Sequence, residues 1–248
     1  MKFPMLGVVM AAATLAAGAA QAANYVKLSG DKVDFYYDRD FWTLGATVSG
    51  NSISVLTGLV GESVAVSEGA QDPYQGPVFS KALNFEYAYD NSIIAVAHDG
   101  YWLNNNITAA ADVSLQSSGF SGSSSFTLEN VYTRGEYSGG SFVPAGALGT
   151  NVEHRYFYFD GYGNGGAGED NSPIYLGTTR ERHQAIAAGG VYYGTAEVTG
   201  LGIGSSTLNG INYNFSVTAV PEPDRYALLG AGLALLGYLA RRRQRSVP

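Results

Sequence analysis

The chain of 248 residues is long enough for one domain with a packed core, is acidic, and contains no cysteine. Its 14 lysines and arginines stand against 21 aspartates and glutamates, and the formal net charge of −7 at pH 7 argues against nucleic acid as a partner, because phosphates would be repelled. The lack of cysteine excludes disulfides, thiol nucleophiles, thiolate zinc sites and a lipoprotein anchor.

The N-terminal segment, residues 1–22, predicts a secretory signal peptide. A lysine is followed by an apolar stretch and then by small residues, and Ala20 and Ala22 flank a glutamine in an A-x-A-like cleavage site. The alternative, an amphipathic helix of the mature fold, would need a polar face at helical spacing, which the segment lacks. We therefore expect a hydrophobic signal helix that engages the Sec export machinery, and a mature chain that begins near Ala23.

The body, residues 23–219, predicts antiparallel strands. Apolar and polar residues alternate in "KVDFYYD" and "INYNFSVTA", as on half-buried strands. Residues 41–60, "FWTLGATVSGNSISVLTGLV", predict a hairpin whose Gly50-Asn51 centre suits a type II′ turn. Many such segments of at most about ten residues, separated by glycine-rich turns, favour an all-β antiparallel β-sandwich or jelly-roll-like body.

Other stretches of the body predict loops or a short helix. The predicted loops are "SEGAQDPYQGPVFSK" (67–81), "GEYSGGSFVPAGALGTN" (135–151) and "DGYGNGGAGEDNSP" (160–173), which are rich in glycine, proline or small polar residues. The segment "RERHQAIAAGG" (180–190) is the best candidate for a helix inside the body, with one or two turns.

The third predicted loop carries the strongest indication of a cofactor. Asp160, Asn164 and Asp170 offer oxygen ligands spaced by glycines, as Ca²⁺ prefers, and "GGAGED" matches half of a calcium β-roll repeat. Such rolls need tandem copies, and the chain has one. Two interpretations therefore stay open: calcium bound by these three residues, or a flexible, solvated loop without a cofactor.

Tyrosine is abundant, with 18 residues in the chain. Tyr156, Tyr158 and Tyr162 lie close together in "HRYFYFDGY". Aromatic side chains exposed on a sheet suit the apolar faces of sugar rings, but tyrosine is also a common strand residue that fills sandwich cores. We therefore predict glycan contact at these three residues as an alternative function, with core packing as the competing interpretation.

The body shows no motif for catalysis. Its three histidines lie far apart in sequence without metal-ligand spacing, and no nucleophile elbow accompanies them. Paired carboxylates cleave glycosidic bonds in many enzymes, but the number of carboxylates in this chain gives any one pair little weight. We expect no catalytic residue, and a secreted carbohydrate-active hydrolase is the alternative.

The C-terminal segment, residues 220–245, has three parts in order: a proline-glutamate-proline turn, an uncharged stretch (227–240) and an arginine cluster. The residues of the turn and the cluster are Pro221, Glu222, Pro223, Arg241, Arg242 and Arg243. A helix over the uncharged stretch would span about 21 Å, short of the ~30 Å hydrocarbon core, so we predict a short transmembrane helix suited to transient residence, with the arginines on the cytoplasmic side. A helix packed on the body is the alternative.

This ordered tail, together with the signal peptide, resembles the PEP-CTERM sorting signal. In that family an exosortase, an integral-membrane transpeptidase-like enzyme of Gram-negative bacteria, recognises the tail, often alongside exopolysaccharide and biofilm gene clusters. The resemblance implies an exported protein that is tethered transiently to the inner membrane and then reaches the cell surface or the extracellular matrix, with exosortase and exopolysaccharide as partners. It implies nothing about the body, because such tails follow many unrelated domains.

Overall fold

The computed structural model describes residues 24–58, 60–68, 79–162, 164–171, 182–220 and 228–236. Within these ranges the chain forms thirteen strands and one short helix at 228–236, so the prediction of an all-β body is confirmed. The strands are β1 (Tyr25–Ser29), β2 (Val33–Asp38), β3 (Gly45–Ser49), β4 (Ser52–Leu56), β5 (Gly61–Val66), β6 (Ser80–Ala97), β7 (Tyr101–Ser117), β8 (Ser121–Ser138), β9 (Ser141–Phe159), β10 (Gly165–Asn171), β11 (Arg182–His183), β12 (Ala185–Thr199) and β13 (Gly202–Ala219).

The strands form two antiparallel sheets that pack face to face in a β-sandwich-like fold. Sheet 1 has seven strands in the order β1-β2-β6-β12-β8-β9-β10. Sheet 2 has six strands, β11-β7-β13-β4-β3, with β5 also paired to β13. Side chains alternate between the two faces of each strand, so the register decides which residues meet on the same face of a sheet.

The inner faces of the two sheets share one hydrophobic core. On β2, the alternate residues Val33, Phe35 and Tyr37 are buried in it. The ring of Phe35 in sheet 1 lies 5.8 Å from the ring of Phe215 in sheet 2, which joins the two layers. Burial of this apolar surface is the main stabilising contribution to the fold. The opposite side of sheet 1, which we call the outer face, carries the alternate residues of the same strands.

The hairpin predicted around Gly50-Asn51 is confirmed. β3 and β4 pair with Ser49 opposite Ser52, which leaves a loop of two residues. Gly50 adopts a positive φ of 61°, as the first turn position of a type II′ turn requires.

The predicted loop at 135–151 and the predicted strand lengths are wrong, and the predicted loop at 160–173 is, within its described residues, a loop only at its start, up to Asn164. In the segment 135–151, β8 turns directly into β9 at Gly139-Gly140, and in the segment 160–173, β10 pairs with β9. The strands β6, β8 and β13 have 18 residues each and β9 has 19. Pairing with a long neighbouring strand stabilises these segments despite their low intrinsic strand propensity. The remaining predicted loop, 67–81, lies mostly outside the described residues.

The helix predicted at 180–190 is also wrong. Residues 182–183 form β11 and residues 185–190 form the start of β12, and β12 lies between β6 and β8 in sheet 1. Ala185, Ile186, Ala187 and Ala188 are fully buried there. Ile186 and Ala188 pack into the core on one face of the strand, and Ala185 and Ala187 pack on the other face in a second apolar cluster. Burial on both faces overrides the helix propensity of alanine.

Most predictions for the two ends fall outside the described residues. They concern Ala20, Ala22, Pro221, Glu222, Pro223, Arg241, Arg242 and Arg243. The helix at 228–236 lies inside the stretch predicted as helical, and its leucines are 60% to 71% exposed. In the part of the chain that the structure describes, no helix is both long and apolar enough to cross a membrane.

Candidate functional site

Two of the three tyrosines singled out in the sequence lie side by side on the outer face of sheet 1. Alternation along β9 directs Tyr156 and Tyr158 outwards, and their side chains are 40% and 49% exposed. Their ring planes differ by 23° and their centroids are 6.3 Å apart. The competing interpretation, that these residues fill the core, is therefore wrong for this pair.

The glycines of β10 explain how the two rings are oriented. Gly168 is opposite Tyr156, and Gly166 is opposite Tyr158. A Cβ atom at Gly168 would lie 2.5 Å from the Tyr156 hydroxyl, and one at Gly166 would lie 3.1 Å from the Tyr158 ring. The rings therefore lean over the bare backbone of β10, as aromatic side chains do when they cover glycines of an edge strand. Each ring therefore contacts that strand while its residue stays 40% to 49% exposed.

A row of polar side chains continues from the tyrosines across the sheet. Ser125 is opposite Tyr156, Thr195 is opposite Ser125, and Asn84 is opposite Thr195. The hydroxyl oxygens of Ser125 and Thr195 are 2.7 Å apart. With strands about 4.8 Å apart, the row extends roughly 14 Å from Tyr156. We call this surface the tyrosine platform, and its residues are Tyr156, Tyr158, Ser123, Ser125, Thr195 and Asn84.

Two further aromatic residues border the platform. The ring of His154 lies 5.9 Å from that of Tyr156, and its Nδ1 is 2.9 Å from the Thr127 hydroxyl. Tyr193, on β12, is opposite Thr127 and is exposed. Partial burial raises the pKa of Tyr193, and the negative charges of Glu86 and Glu129 raise it further. These carboxylates therefore lie close enough to act electrostatically on the border of the platform.

Tyr162 lies in the loop after β9, separate from the pair on the strand. It is exposed, and its ring meets that of Phe120 edge-on at 5.9 Å. The loop borders a shallow depression of about 550 Å³ at the end of the sandwich. The residues lining this depression include Ser118, Gly119, Phe120, Phe159, Asp160 and Leu201. Of the three tyrosines predicted to contact a glycan, two thus lie together on the outer face of sheet 1, and Tyr162 lies at the adjacent end of the sandwich.

The loop from Asp160 to Asn164 is held by its own hydrogen bonds. Asp160 Oδ1 accepts from the backbone N–H of Tyr162 and of Asn164, and Asp160 Oδ2 accepts from Asn164 Nδ2 at 2.8 Å. The bonds from Asn164 lower the pKa of Asp160. The described residues contain no group of three histidines, cysteines or carboxylates that could hold a metal ion, and the Asp170 side chain lies outside the description. Calcium at this loop stays a prediction.

Two carboxylates on the inner side of β9 and β10 form ion pairs with the same arginine. Glu153 is buried, and its Oε2 accepts a hydrogen bond from the Ala111 N–H at 2.9 Å, across the two sheets. Arg155 pairs with Glu153 at 2.6 Å and with Glu169 at 3.4 Å. Through Glu153, this network links β9 in sheet 1 to β7 in sheet 2. The depression described above holds one carboxylate, Asp160. That depression therefore offers no carboxylate pair for the hydrolase alternative, which stays a prediction.

Comparisons with models of protein families, with curated proteins and with solved structures find no match for this chain. Sequence reasoning found Tyr156 and Tyr158 but missed the role of Gly166 and Gly168, which it placed in a loop with calcium as one of two interpretations. A usable signal was present, because "YFY" and "GAG" share a spacing of two residues, as two paired strands with matching faces require.

Proposed function

We propose that the protein is an exported, non-catalytic β-sandwich of the cell surface or extracellular matrix that binds a polysaccharide through the tyrosine platform. The observation that carries this proposal is the pair of exposed, nearly parallel rings of Tyr156 and Tyr158.

The chemistry of the platform matches that of a sugar chain. A sugar ring has an apolar face of C–H groups and a rim of hydroxyls. Tyrosine offers a flat apolar surface at low conformational cost, and the row of Ser125, Thr195 and Asn84 offers donors and acceptors to the rim. The platform is an open surface on a sheet rather than an enclosed cavity, which favours an extended polymer over a small ligand.

Affinity electrophoresis of the purified full-length chain in gels that contain soluble polysaccharides tests the binding proposal. We expect retardation of the wild-type protein and a loss of retardation in Tyr156→Ala and Tyr158→Ala. Phe79→Ala is the matched control, because Phe79 is as exposed as Tyr158, at 49%, and lies outside the platform. Unchanged retardation of both tyrosine variants, or an equal loss in the control, would reject the platform as the binding site.

The sorting part of the proposal is supported by the tail and by the exposed helix at 228–236. All nine residues of that helix are exposed, so its leucines are not covered by the body. We propose that the segment lodges transiently in the inner membrane while exosortase acts on the tail. The mass of the mature protein from a Gram-negative host with an exosortase tests this directly. We expect a chain that has lost both the signal peptide and the arginine cluster.

A double substitution of the turn sharpens the sorting test. Pro221→Ala with Pro223→Ala is expected to leave the chain in the inner-membrane fraction with its arginines intact, because the rigid turn before the helix is lost. Normal delivery of this variant to the surface would refute the sorting proposal and leave the polysaccharide proposal untouched.

A further inference from the structure

The outer face of sheet 1 carries negative charge around the platform. Glu86, Glu129 and Glu197 are opposite Tyr193, Val191 and Ser123, respectively, which places all three on the outer side. Glu86 and Glu197 are exposed, and Glu129 is half-buried. Glu197 is in the same row as Tyr158, two strands away, at a distance of about 10 Å.

The positive residues of the same strands are on the inner side. The five strands β6, β8, β9, β10 and β12 contain one lysine and two arginines, which are Lys81, Arg134 and Arg155. Each is opposite a buried residue of the neighbouring strand, and Arg155 lies over the ring of Phe126 at 5.8 Å. The register thus leaves the outer side of these five strands without a lysine or arginine beside Glu86, Glu129 and Glu197.

Glu86 and Glu197 differ in this respect from Asp34 and Glu153, two other carboxylates of the body. Asp34 is paired with Lys27 at 2.7 Å, and Glu153 is paired with Arg155 at 2.6 Å. Among the described residues, Glu86 and Glu197 have no such partner. A solvated carboxylate beside an aromatic stacking surface repels an anionic ligand and attracts a cationic one.

We propose that the tyrosine platform selects a polysaccharide that carries protonated amino sugars. This inference rests on the proposed function. The rings of Tyr156 and Tyr158 stack on sugar faces, while Glu86 and Glu197 pair with ammonium groups further along the same chain. Charge complementarity disfavours polyuronates and sulfated polymers, which would place anions over these carboxylates.

Titration of the full-length chain with three oligosaccharides of equal length tests the selectivity. The probes are a chitosan oligomer, its N-acetylated counterpart and an oligouronate, at a mildly acidic pH. We expect the chitosan oligomer to bind most tightly and the oligouronate not to bind. Glu86→Gln and Glu197→Gln are each expected to weaken chitosan binding by about two- to fivefold, and to leave binding of the N-acetylated oligomer unchanged, because an exposed charge pair contributes roughly 0.4–1 kcal/mol. The control is Glu62→Gln, an exposed carboxylate of β5 in sheet 2.

The outcomes separate this inference from the proposed function. Equal binding of the amino and N-acetylated oligomers, with no effect of the glutamine variants, overturns the charge selectivity. If Tyr158→Ala abolishes that binding, the proposal that the platform is the binding site still stands. Preferential binding of the oligouronate overturns the charge selectivity as well. Binding of none of the three, or binding that Tyr156→Ala and Tyr158→Ala leave unchanged, overturns both proposals. Weakening of chitosan binding by added salt in the wild type, but less in Glu197→Gln, supports the ion pairs.

Discussion

The inner and outer faces of sheet 1 use the same residue type in opposite ways. Tyr192 and Tyr193 are neighbours on β12, yet Tyr192 is fully buried while Tyr193 is 39% exposed. The hydroxyl of Tyr192 is 2.7 Å from that of Ser206 in sheet 2. The difference follows from the two-residue repeat of a strand alone. It shows that the position of a tyrosine relative to the pleat, rather than the number of tyrosines, decides between core and surface.

The inner tyrosines are organised around a buried amide. Asn130 Oδ1 accepts hydrogen bonds from the hydroxyl of Tyr89 at 2.9 Å and from that of Tyr213 at 2.7 Å. Tyr132 donates in the same way to Asn151 Oδ1 at 3.2 Å. Since Tyr213 belongs to sheet 2 and Asn130 to sheet 1, these bonds join the two layers inside the core. Buried hydroxyls need such partners, and the outer tyrosines have solvent instead.

The largest expected effect is unfolding at alkaline pH, which acts on the inner tyrosines. Burial raises the pKa of Tyr192 to about 12, and burial raises the pKa values of Tyr89 and Tyr213 well above the ordinary range. In the unfolded chain these phenols lose their protons near pH ~10, so their contribution to stability is complete below that pH and is lost as the pH rises through ~12. Urea unfolding at a series of pH values should show a constant midpoint below pH ~10 and a steep decline above it.

Tyr192→Phe provides the control for this prediction, because it keeps the ring and removes the ionisable group. The decline of its midpoint above pH ~10 should be shallower than in the wild type. A variant with the same pH profile as the wild type would mean that other groups cause the alkaline unfolding.

The second prediction compares the two neighbours on β12 directly. Tyr192→Ala removes a buried ring from the core, and we expect a loss of about 3–5 kcal/mol in the free energy of unfolding. Tyr193→Ala removes an exposed ring, and we expect a change within about 0.5 kcal/mol. Chemical unfolding monitored by circular dichroism measures both. Similar losses in the two variants would contradict the assignment of the two faces.

The sequence predicted the class of the fold through its alternating segments, but not the lengths of its strands. "KVDFYYD" alternates within itself, and β2 forms from it as expected. The glycines of "GNGGAG" indicate a loop when the segment is considered alone. They form a strand because β9 offers a partner and because tyrosine rings fill the space above them. The segment becomes a strand because of residues in β9, and the local sequence pattern of the segment contains no information about β9.

The candidate site was predictable to a similar degree. The three tyrosines were identified from their spacing on one segment, and alternation is enough to place Tyr156 and Tyr158 on one face. The neighbours Ser125, Thr195 and Asn84 come from three other strands, and their positions depend on the register of long pairings. No spacing along the chain relates them, since the row runs perpendicular to the strands.

The third prediction concerns the amide that joins the inner tyrosines. Asn130→Ala leaves two buried hydroxyls without their acceptor, and we expect a loss of about 2–4 kcal/mol in the free energy of unfolding. Asn212→Ala is the control, because Asn212 is exposed and bonds to the Ser54 hydroxyl at the surface. The control is expected to lose less than about 1 kcal/mol. An equally mild effect of Asn130→Ala would show that the buried network contributes little to stability.

The smallest expected effect on stability concerns the glycine beneath an outer tyrosine. In Gly168→Ala the new methyl group would occupy the space of the Tyr156 phenol, so the ring has to rotate away from β10. A surface side chain moves at low cost, and we expect a change in stability within about 1 kcal/mol. The two rings then lose their parallel arrangement, and we expect polysaccharide binding to weaken by about two- to tenfold, the worth of one aromatic contact.

Ala167→Ser separates this positioning effect from a general effect on the edge strand. Ala167 is opposite Phe157, so it lies on the other side of β10 from the platform. A change there alters the same strand without touching either exposed ring. If Ala167→Ser weakens binding as much as Gly168→Ala does, the strand itself rather than the ring orientation determines binding. If only Gly168→Ala does so, a residue without a side chain controls the geometry of the outer tyrosines, as Asn130 does for the inner ones.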